Sequence, residues 1–417
     1  MAEAKIRFKN DDGNDYPVWD ECILDDVFEE RNEAHLITDD APQLAFTIEQ
    51  GVIYPEDKKT NKRDFLMKDK SNKKFLLTEP DDIIYNPANL KFGAIHRNKL
   101  CRGVVSPIYA IFRTNQNPAF MEYVVRNPRF IKRSLKYLEG TVIKLMTLKP
   151  RDFVKMHVSI PCIEEQNKIA EFMGEVDSII ETSMQEVNKL KELKKGCLQK
   201  MFPKEGSVVP EVRFPGFTDD WEQRKLEDIS ANYKYSIVDG PFGSDLKTAD
   251  YTEDGVLVMQ SNYITGGKFE IKQPYFVSTD KAEQLSRCHC KGGDILIAKI
   301  GANFGICNLI PENIGDAVLS SNCMKVDLDE KHDNNFYMQY FNTLYESGFY
   351  YSLVGITAQP ALSLKFMKSL EVPSPSIEEQ QKIASFLENL DNLITLHQRE
   401  CDKYKELKKG LLQQMFV

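Results

Sequence analysis

The sequence predicts two globular α/β (α+β) units that alternate with two long coiled-coil helices, the whole forming a pseudo-twofold internal repeat. Three observations carry this. Two helical segments recur almost unchanged, the stretches preceding them recur more weakly, and short apolar runs bounded by Gly, Pro and Asn mark strands within each unit.

The strong repeat organises the chain. IEEQNKIAEFMGEVDSII from Ile163 returns as IEEQQKIASFLENLDNLI from Ile377, and KELKKGCLQKMF from Lys191 returns as KELKKGLLQQMF from Lys405. Both pairs share one offset, so the copies align without a gap, and over half of the aligned residues are identical. Each copy spaces its apolar residues alternately three and four apart over about five heptads, the pattern of a coiled-coil seam. In the first helix, one seam position holds Ile169, Val176, Ser183, Leu190 and Cys197; the other holds Met173, Ile180, Val187, Lys194 and Met201. In the second, Ile383, Leu390, His397, Tyr404 and Leu411 match Leu387, Ile394, Cys401, Lys408 and Met415. Ser183 and His397 are polar layers, which set register at some cost in stability. Pro161 and Pro375 stand just before the helices, where the residue ahead of a proline favours extended chain. Ser376 and Glu379 predict a capping box for the second helix, and Cys162 replaces the serine in the first. Gly196 and Gly410 each cost about 1 kcal/mol relative to Ala if helical.

The weaker repeat defines the units. IRF at Ile6 and Trp19 match VRF at Val212 and Trp221, and MHVSIPCIEEQ from Met156 is similar to LEVPSPSIEEQ from Leu370. DDIIYNPANLKFG from Asp81 is similar to GDILIAKIGANFG from Gly293. The chain divides into a first unit at 1–160, a helix at 161–203, a second unit at 204–372 and a second helix at 373–417. Each unit is of ordinary domain size.

Composition narrows the class. With 42% hydrophobic and 28% charged residues the chain reads as globular. No apolar run approaches the ~20 residues of a membrane span, and MAEAKIRFKN has no signal-peptide core. The cysteines have no disulfide-framework spacing, so reduced thiols and a cytoplasmic location are expected. The net charge of −9 conceals a gradient. Residues 1–50 sum to about −10, residues 51–160 to about +12 and residues 211–370 to about −7. The basic stretch includes Lys58, Lys59, Lys62, Arg63, Lys73, Lys74, Lys91, Arg97, Lys99 and Arg102, a patch able to neutralise phosphates. A solvated face explains it equally well.

The order of variable unit, EEQ-x-KIA helix ending in KELKKG-x-LQ-x-MF, second variable unit and repeated helix resembles the specificity subunits of Type I restriction–modification systems over the whole chain. The second unit adds DGPFGSDLKTADY from Asp239, YFVS from Tyr275, GDILIAKIGANFG from Gly293 and GITAQPALS from Gly355, which are similar to landmarks of a target recognition domain. The first resembles a different recognition-domain type through GVIYPEDK from Gly51, DDIIYN from Asp81 and GVVSPIYAIFR from Gly103, and lacks the GPFGS element. The resemblance implies two DNA readers, each for one half of an asymmetric split target, on helices that run antiparallel. It also implies docking to two methyltransferase subunits, which in turn recruit restriction/translocase subunits. S-adenosylmethionine, ATP and Mg would be used by those partners and none bound by this chain. At ~1.5 Å per residue, helices of about 38 residues would hold the readers up to about 57 Å apart, roughly one and a half turns of B-DNA.

Catalytic patterns are weak. There is no G-x-x-x-x-G-K-[ST] phosphate loop. Asn86-Pro87-Ala88-Asn89 lacks the second proline and stacking aromatic of an adenine methyltransferase motif, and a turn after a strand accounts for it. Asp294 and Lys299 flank an apolar strand as in some nucleases, without a second carboxylate. Cys288-His289-Cys290, with Cys307 and Cys323 downstream, lacks the second ligand pair of structural zinc, so no metal is expected. For double-stranded DNA the candidates are Asn86, Asn89, Lys91, His96, Arg97 and Arg102 in the first unit. In the second they are Ser244, Lys247, Gln260, Asn262, Tyr263, Lys299, Asn303 and Gln359. Arg and Lys suit guanine edges, Asn and Gln suit adenine, and Ser can hold phosphates, although for any one of them an ordinary surface role is the commoner one. A coiled-coil scaffold binding only proteins is the alternative; it predicts no salt-dependent affinity for duplex DNA.

Overall fold

The computed structural model describes residues 4–58, 74–139, 147–204, 206–353 and 360–416. Both repeated segments are single helices of 39 residues, Ile163–Met201 and Ile377–Met415. The chain forms two compact units that cut through them: residues 1–184 with 399–417, and residues 185–398. Each unit therefore owns the first half of one helix and the last half of the other.

In the first unit, β1 (Asp20–Ile23) and β2 (Phe28–Glu30) are followed by β3 (Ile83–Tyr85), β4 (Ile95–Arg97) and β5 (Ala110–Thr114). Helix α1 (Pro118–Arg126), strand β6 (His157–Ile160) and the long helix α2 (Ile163–Met201) complete its shared frame. Strands β2, β5, β3 and β4 form an antiparallel four-stranded sheet in that order, and β1 pairs with β6. Further short strands, Ala34–His35, Phe75–Thr78 and Gly103–Val105, form a three-stranded sheet beside it.

The second unit repeats this frame with β7 (Glu222–Lys225), β8 (Ile237–Asp239), β9 (Ile295–Ala298), β10 (Cys307–Leu309), β11 (Cys323–Val326) and β12 (Glu371–Ser374). Helix α3 (Asn334–Glu346) follows β11, and α4 (Ile377–Met415) follows β12. The sheet order β8-β11-β9-β10 reproduces β2-β5-β3-β4, and β7 pairs with β12 as β1 does with β6. Register agrees as well: Ile83 faces Arg97 as Ile295 faces Leu309. The similarity of DDII to GDIL thus marks one strand of a common sheet. The second unit differs by a five-stranded sheet that contains Val256–Met259 and Ala317–Leu319 as a parallel pair.

Each core is sheet packed on helix. In the first unit Ile83, Tyr85, Phe112, Phe120 and Phe153 join Ile169 and Met173 from the start of α2 and Met415 and Phe416 from the end of α4. In the second, Ile295, Ile297, Met324 and Phe336 join Ile383 and Leu387 with Leu198, Met201 and Phe202. Burying each such side chain contributes about 1.5–3 kcal/mol. Seam residues Val176, Val187 and Leu390 are also buried, and Ile180, Leu190, Ile394, Tyr404 and Leu411 are half-buried. Within each unit the two half-helices run antiparallel. Lys408 pairs with Asp177 in the first unit, and Lys194 pairs with Asp391 at 2.7 Å in the second. The repeat relates these two ion pairs.

The capping box at the second helix is only half made. Ser376 Oγ accepts from the Glu379 N–H at 3.3 Å, but the Glu379 carboxylate turns to Arg213, at 2.9 and 2.7 Å, and to the Trp221 indole N–H at 3.0 Å. A bidentate, charge-assisted pair outcompetes one bond to a neutral N–H. Gly196 and Gly410 lie within the helices, and a Cβ at either would meet nothing within 4 Å, so no close approach requires them.

Candidate nucleic-acid interface

In the second unit four loops meet at one end of the sheets, because the strands that lead into them run the same way. The loop after β8 is tied down by Gly240 N–H donating to the Cys323 carbonyl at 2.9 Å. A Cβ on Gly240 would lie 1.8 Å from the Ser320 oxygen, so only glycine allows this approach. Lys299, just past β9, donates its backbone N–H to Asn322 at 2.8 Å and its ammonium to Asp239 at 2.5 Å. The Ser320 N–H donates to Met259 at 2.9 Å, which brings Gln260 and Asn262 alongside. Ser244, Gln260, Asn262, Lys299 and Asn303 therefore gather at this end, with Ser244, Asn262 and Asn303 exposed. Lys247 is exposed further along the loop after β8, where its N–H donates to Asp250 at 2.7 Å. Gln359 lies outside the described residues.

Tyr263 is not at the surface. It is fully buried, and its hydroxyl donates to the Gln273 carbonyl at 2.8 Å, so it holds the loop rather than facing a ligand. Asp294 and Lys299 stand at opposite ends of β9. Asp294 is buried against Lys325 at 3.1 Å, and desolvation, partly offset by Lys325, raises its pKa. The nuclease-like pairing is thereby split between two unrelated ion pairs. The cysteine sulfurs also have separate partners: Cys288 donates to the Asp239 carbonyl at 3.4 Å, and Cys307 to Met338 at 3.3 Å. Burial pushes the Cys323 thiol up to about 12, so it stays protonated. No group of three or more His, Cys, Asp or Glu residues placed to hold a metal occurs among the described residues.

The first unit has the corresponding end at the β3–β4 turn. Asn86 caps this turn by accepting the Ala88 N–H at 3.0 Å, Asn89 and Lys91 follow, and Gly93 closes it at φ +82°, matching Gly305 at φ +96°. His96, Arg97 and Arg102 lie elsewhere. His96 is 4% exposed, and its neutral ring donates from Nε2 to the Ile48 carbonyl at 2.7 Å. Burial, with Arg126 next in effect, lowers its pKa to about 4. Arg97 is bridged to Asp81 and lies 3.6 Å from Glu122, and Arg102 is bridged to Glu79. The two arginines pair with the unit's own acids and His96 with a backbone carbonyl, which charge counting along a sequence cannot foresee.

Residues 218–406 match the family model described as the Type I restriction modification DNA specificity domain. The MjaVIII specificity subunit of a type I restriction enzyme from Methanocaldococcus jannaschii is 25% identical over 268 residues, 62% of this chain and 61% of that protein. The MjaX specificity subunit of the same organism is 26% identical over 315 residues, 72% of this chain and 68% of that one. The S subunit of a Type I system from M. genitalium superposes with a TM-score of 0.61 at 14% identity, covering 100% of this chain and 99% of that one. A second solved chain, from work on assembly of a type I R-M system, gives 0.56 at 15% identity over 96% and 98%.

Residues 218–406 thus form a Type I restriction modification DNA specificity domain, and the whole chain shares the fold of solved Type I S subunits. The alignment with MjaVIII spans 61% of that relative's length. The residues that fasten each unit to its helix are repeat-equivalent. Arg7 and Trp19 bond Glu165, at 2.6 and 3.2 Å, as Arg213 and Trp221 bond Glu379. Gln166 accepts the Asn117 N–H at 3.1 Å and donates to the Pro161 carbonyl at 2.9 Å. Gln380 does the same with Asp333 and Pro375, at 2.8 Å each. The E-E-Q run is thus the socket for each globular unit. The sequence displayed that run, but not what filled it.

Proposed function

We infer that this chain is the non-catalytic DNA-recognition subunit of a Type I restriction–modification complex, each unit reading one half of an asymmetric bipartite target. The observation that carries the reading is the pairing of a common frame with different loops. Equivalent sheets on equivalent sockets present unlike polar sets, Asn86, Asn89 and Lys91 in one and Ser244, Gln260, Asn262, Lys299 and Asn303 in the other. A fixed frame with variable loops suits sequence readout, since base edges are read by the donors and acceptors offered to the groove.

The helices would dock two methyltransferase subunits, which bring in restriction subunits. S-adenosylmethionine, ATP and Mg belong to those partners, and the complex works in the cytoplasm. Repeat-equivalent exposed apolar residues support two equal docking sites: Ile179 and Leu193 on α2, 45% and 51% exposed, match Leu393 and Leu407 on α4, 43% and 54% exposed. A protein-only scaffold would need no variable polar loops.

Reconstitution with the cognate methyltransferase subunit, followed by mapping of methylated adenine, tests the function. The complex is expected to methylate one split, asymmetric motif, and the chain alone to methylate, cleave and hydrolyse nothing. Methylation without sequence preference would favour the scaffold.

A further inference from the structure

Each unit carries one phenylalanine standing in solvent at the loop end of its shared four-stranded sheet. Phe92, in the β3–β4 turn, is 63% exposed, and Lys91 Nζ lies 5.3 Å from its ring centre. Phe242, in the loop after β8, is 72% exposed, and the Arg287 guanidinium lies 5.8 Å from its ring centre. Every other phenylalanine among the described residues is buried or half-buried. The two do not correspond by descent. Phe304, which aligns with Phe92, is fully buried, with Tyr351 edge-on 4.7 Å from it. The two units thus reach one arrangement from different loops.

The arrangement is firmly held. Asp245 and Leu246 donate their N–H groups to the Phe242 carbonyl at 2.8 and 3.3 Å, and the Asp239–Lys299 pair and the Gly240–Cys323 bond anchor the loop's start. Phe92 donates its N–H to the Asn89 carbonyl at 2.9 Å within a closed turn. A phenyl ring fixed in water beside a cation gains little in the free protein. Against a duplex the same pair offers an apolar plate for a base and a charge for the adjoining phosphate.

We propose that Phe92 and Phe242 are stacking wedges, one for each half-site, that insert at a base step while Lys91 and Arg287 take the flanking phosphates. This rests on the DNA-reading function proposed above. A wedge unstacks a step at an energy that depends on its sequence, so each unit would select for deformable steps, pyrimidine–purine above all, as well as for base edges.

The test uses the full chain with its methyltransferase subunit and duplexes bearing the methylated motif, with 2-aminopurine placed in turn at each position. Native protein is expected to raise 2-aminopurine fluorescence at one step in each half-site. Phe242→Ala should abolish the signal in the second half-site alone and weaken binding roughly 5- to 150-fold, the range for loss of one aromatic stack. Phe92→Ala should do the same in the first half-site, and Phe242→Trp should keep both signal and affinity. Because both side chains are exposed, thermal melting should be unchanged, so lost folding can be told from lost stacking. Alanine variants that bind and fluoresce as native would overturn the wedge while leaving DNA reading intact. Variants that fail to assemble with the methyltransferase would overturn it in favour of a protein contact. Native protein without preference for the motif would overturn the reading function itself.

Discussion

At the scale of single residues, both units depend on a buried carboxylate that must be neutralised. Glu165 and Glu379 are essentially without solvent, and each takes one arginine and one indole. Removing one partner of a buried pair costs about 3–5 kcal/mol, since the remaining charge stays desolvated. Arg7→Met is expected to destabilise the first unit and Arg213→Met the second, each by about 3 kcal/mol because both arginines keep some exposure. The two tryptophans sit one at each anchor, so a Trp221→Phe background leaves Trp19 to report the first unit in denaturant titrations, and Trp19→Phe the reverse. Equal loss in both units from either arginine change would refute this local picture. His96 gives the first unit a pH dependence. Its pKa falls from 6.5 to about 4 on folding, so the unfolded chain takes up the proton more readily. Its contribution is complete above pH 6.5 and declines as pH falls towards 4, by at most ~3 kcal/mol. Hydrogen exchange of peptides covering β4 should quicken between pH 6.5 and 5 after correction for intrinsic rates, and His96→Asn should flatten that response.

At the scale of elements, the long helices present two different faces. One face is the seam and the socket, where Lys408 and Lys194, at seam positions, reach the repeat-equivalent Asp177 and Asp391. Heptad reading placed these lysines in the seam but could not show that they end in ion pairs, since partners on another helix are invisible to spacing. The other face keeps Leu193 and Leu407 in solvent. Leu193→Glu and Leu407→Glu should each leave melting within about 0.5 kcal/mol of native, as exposed substitutions do, and each reduce bound methyltransferase from two copies to one. Mass measurement of the assembled complex checks this, and two copies retained by the double variant would exclude this face as the docking site.

At the scale of the whole molecule, each compact unit sets its own loops on half-helices that repeat between the units. Because the sockets are built from the repeated E-E-Q residues, a foreign reader that brings its own arginine and tryptophan should fit. Replacing residues 1–160 with the matching unit of a related subunit is expected to change one half of the methylated motif and preserve the other. Methylome mapping in a host carrying the chimaera reads the result directly; a change in both halves would contradict independent readers.

The sequence by itself determined the two long helices, their seam and the presence of two related units, because heptad spacing and a gapless repeat are local properties of the chain. It also marked β3 and β9 as the same strand, through DDII and GDIL. What only the tertiary structure decided was which polar residues face outward. His96 and Tyr263 stood beside Ser244 and Asn262 as candidates in the sequence, yet they are buried and bond within the fold, while Phe92 and Phe242, which the sequence does not set apart from the other phenylalanines, stand in solvent. Exposure depends on which loops meet at the end of a sheet, and that is set by contacts between residues far apart in the chain, such as Lys299 with Asp239 and Gly240 with Cys323.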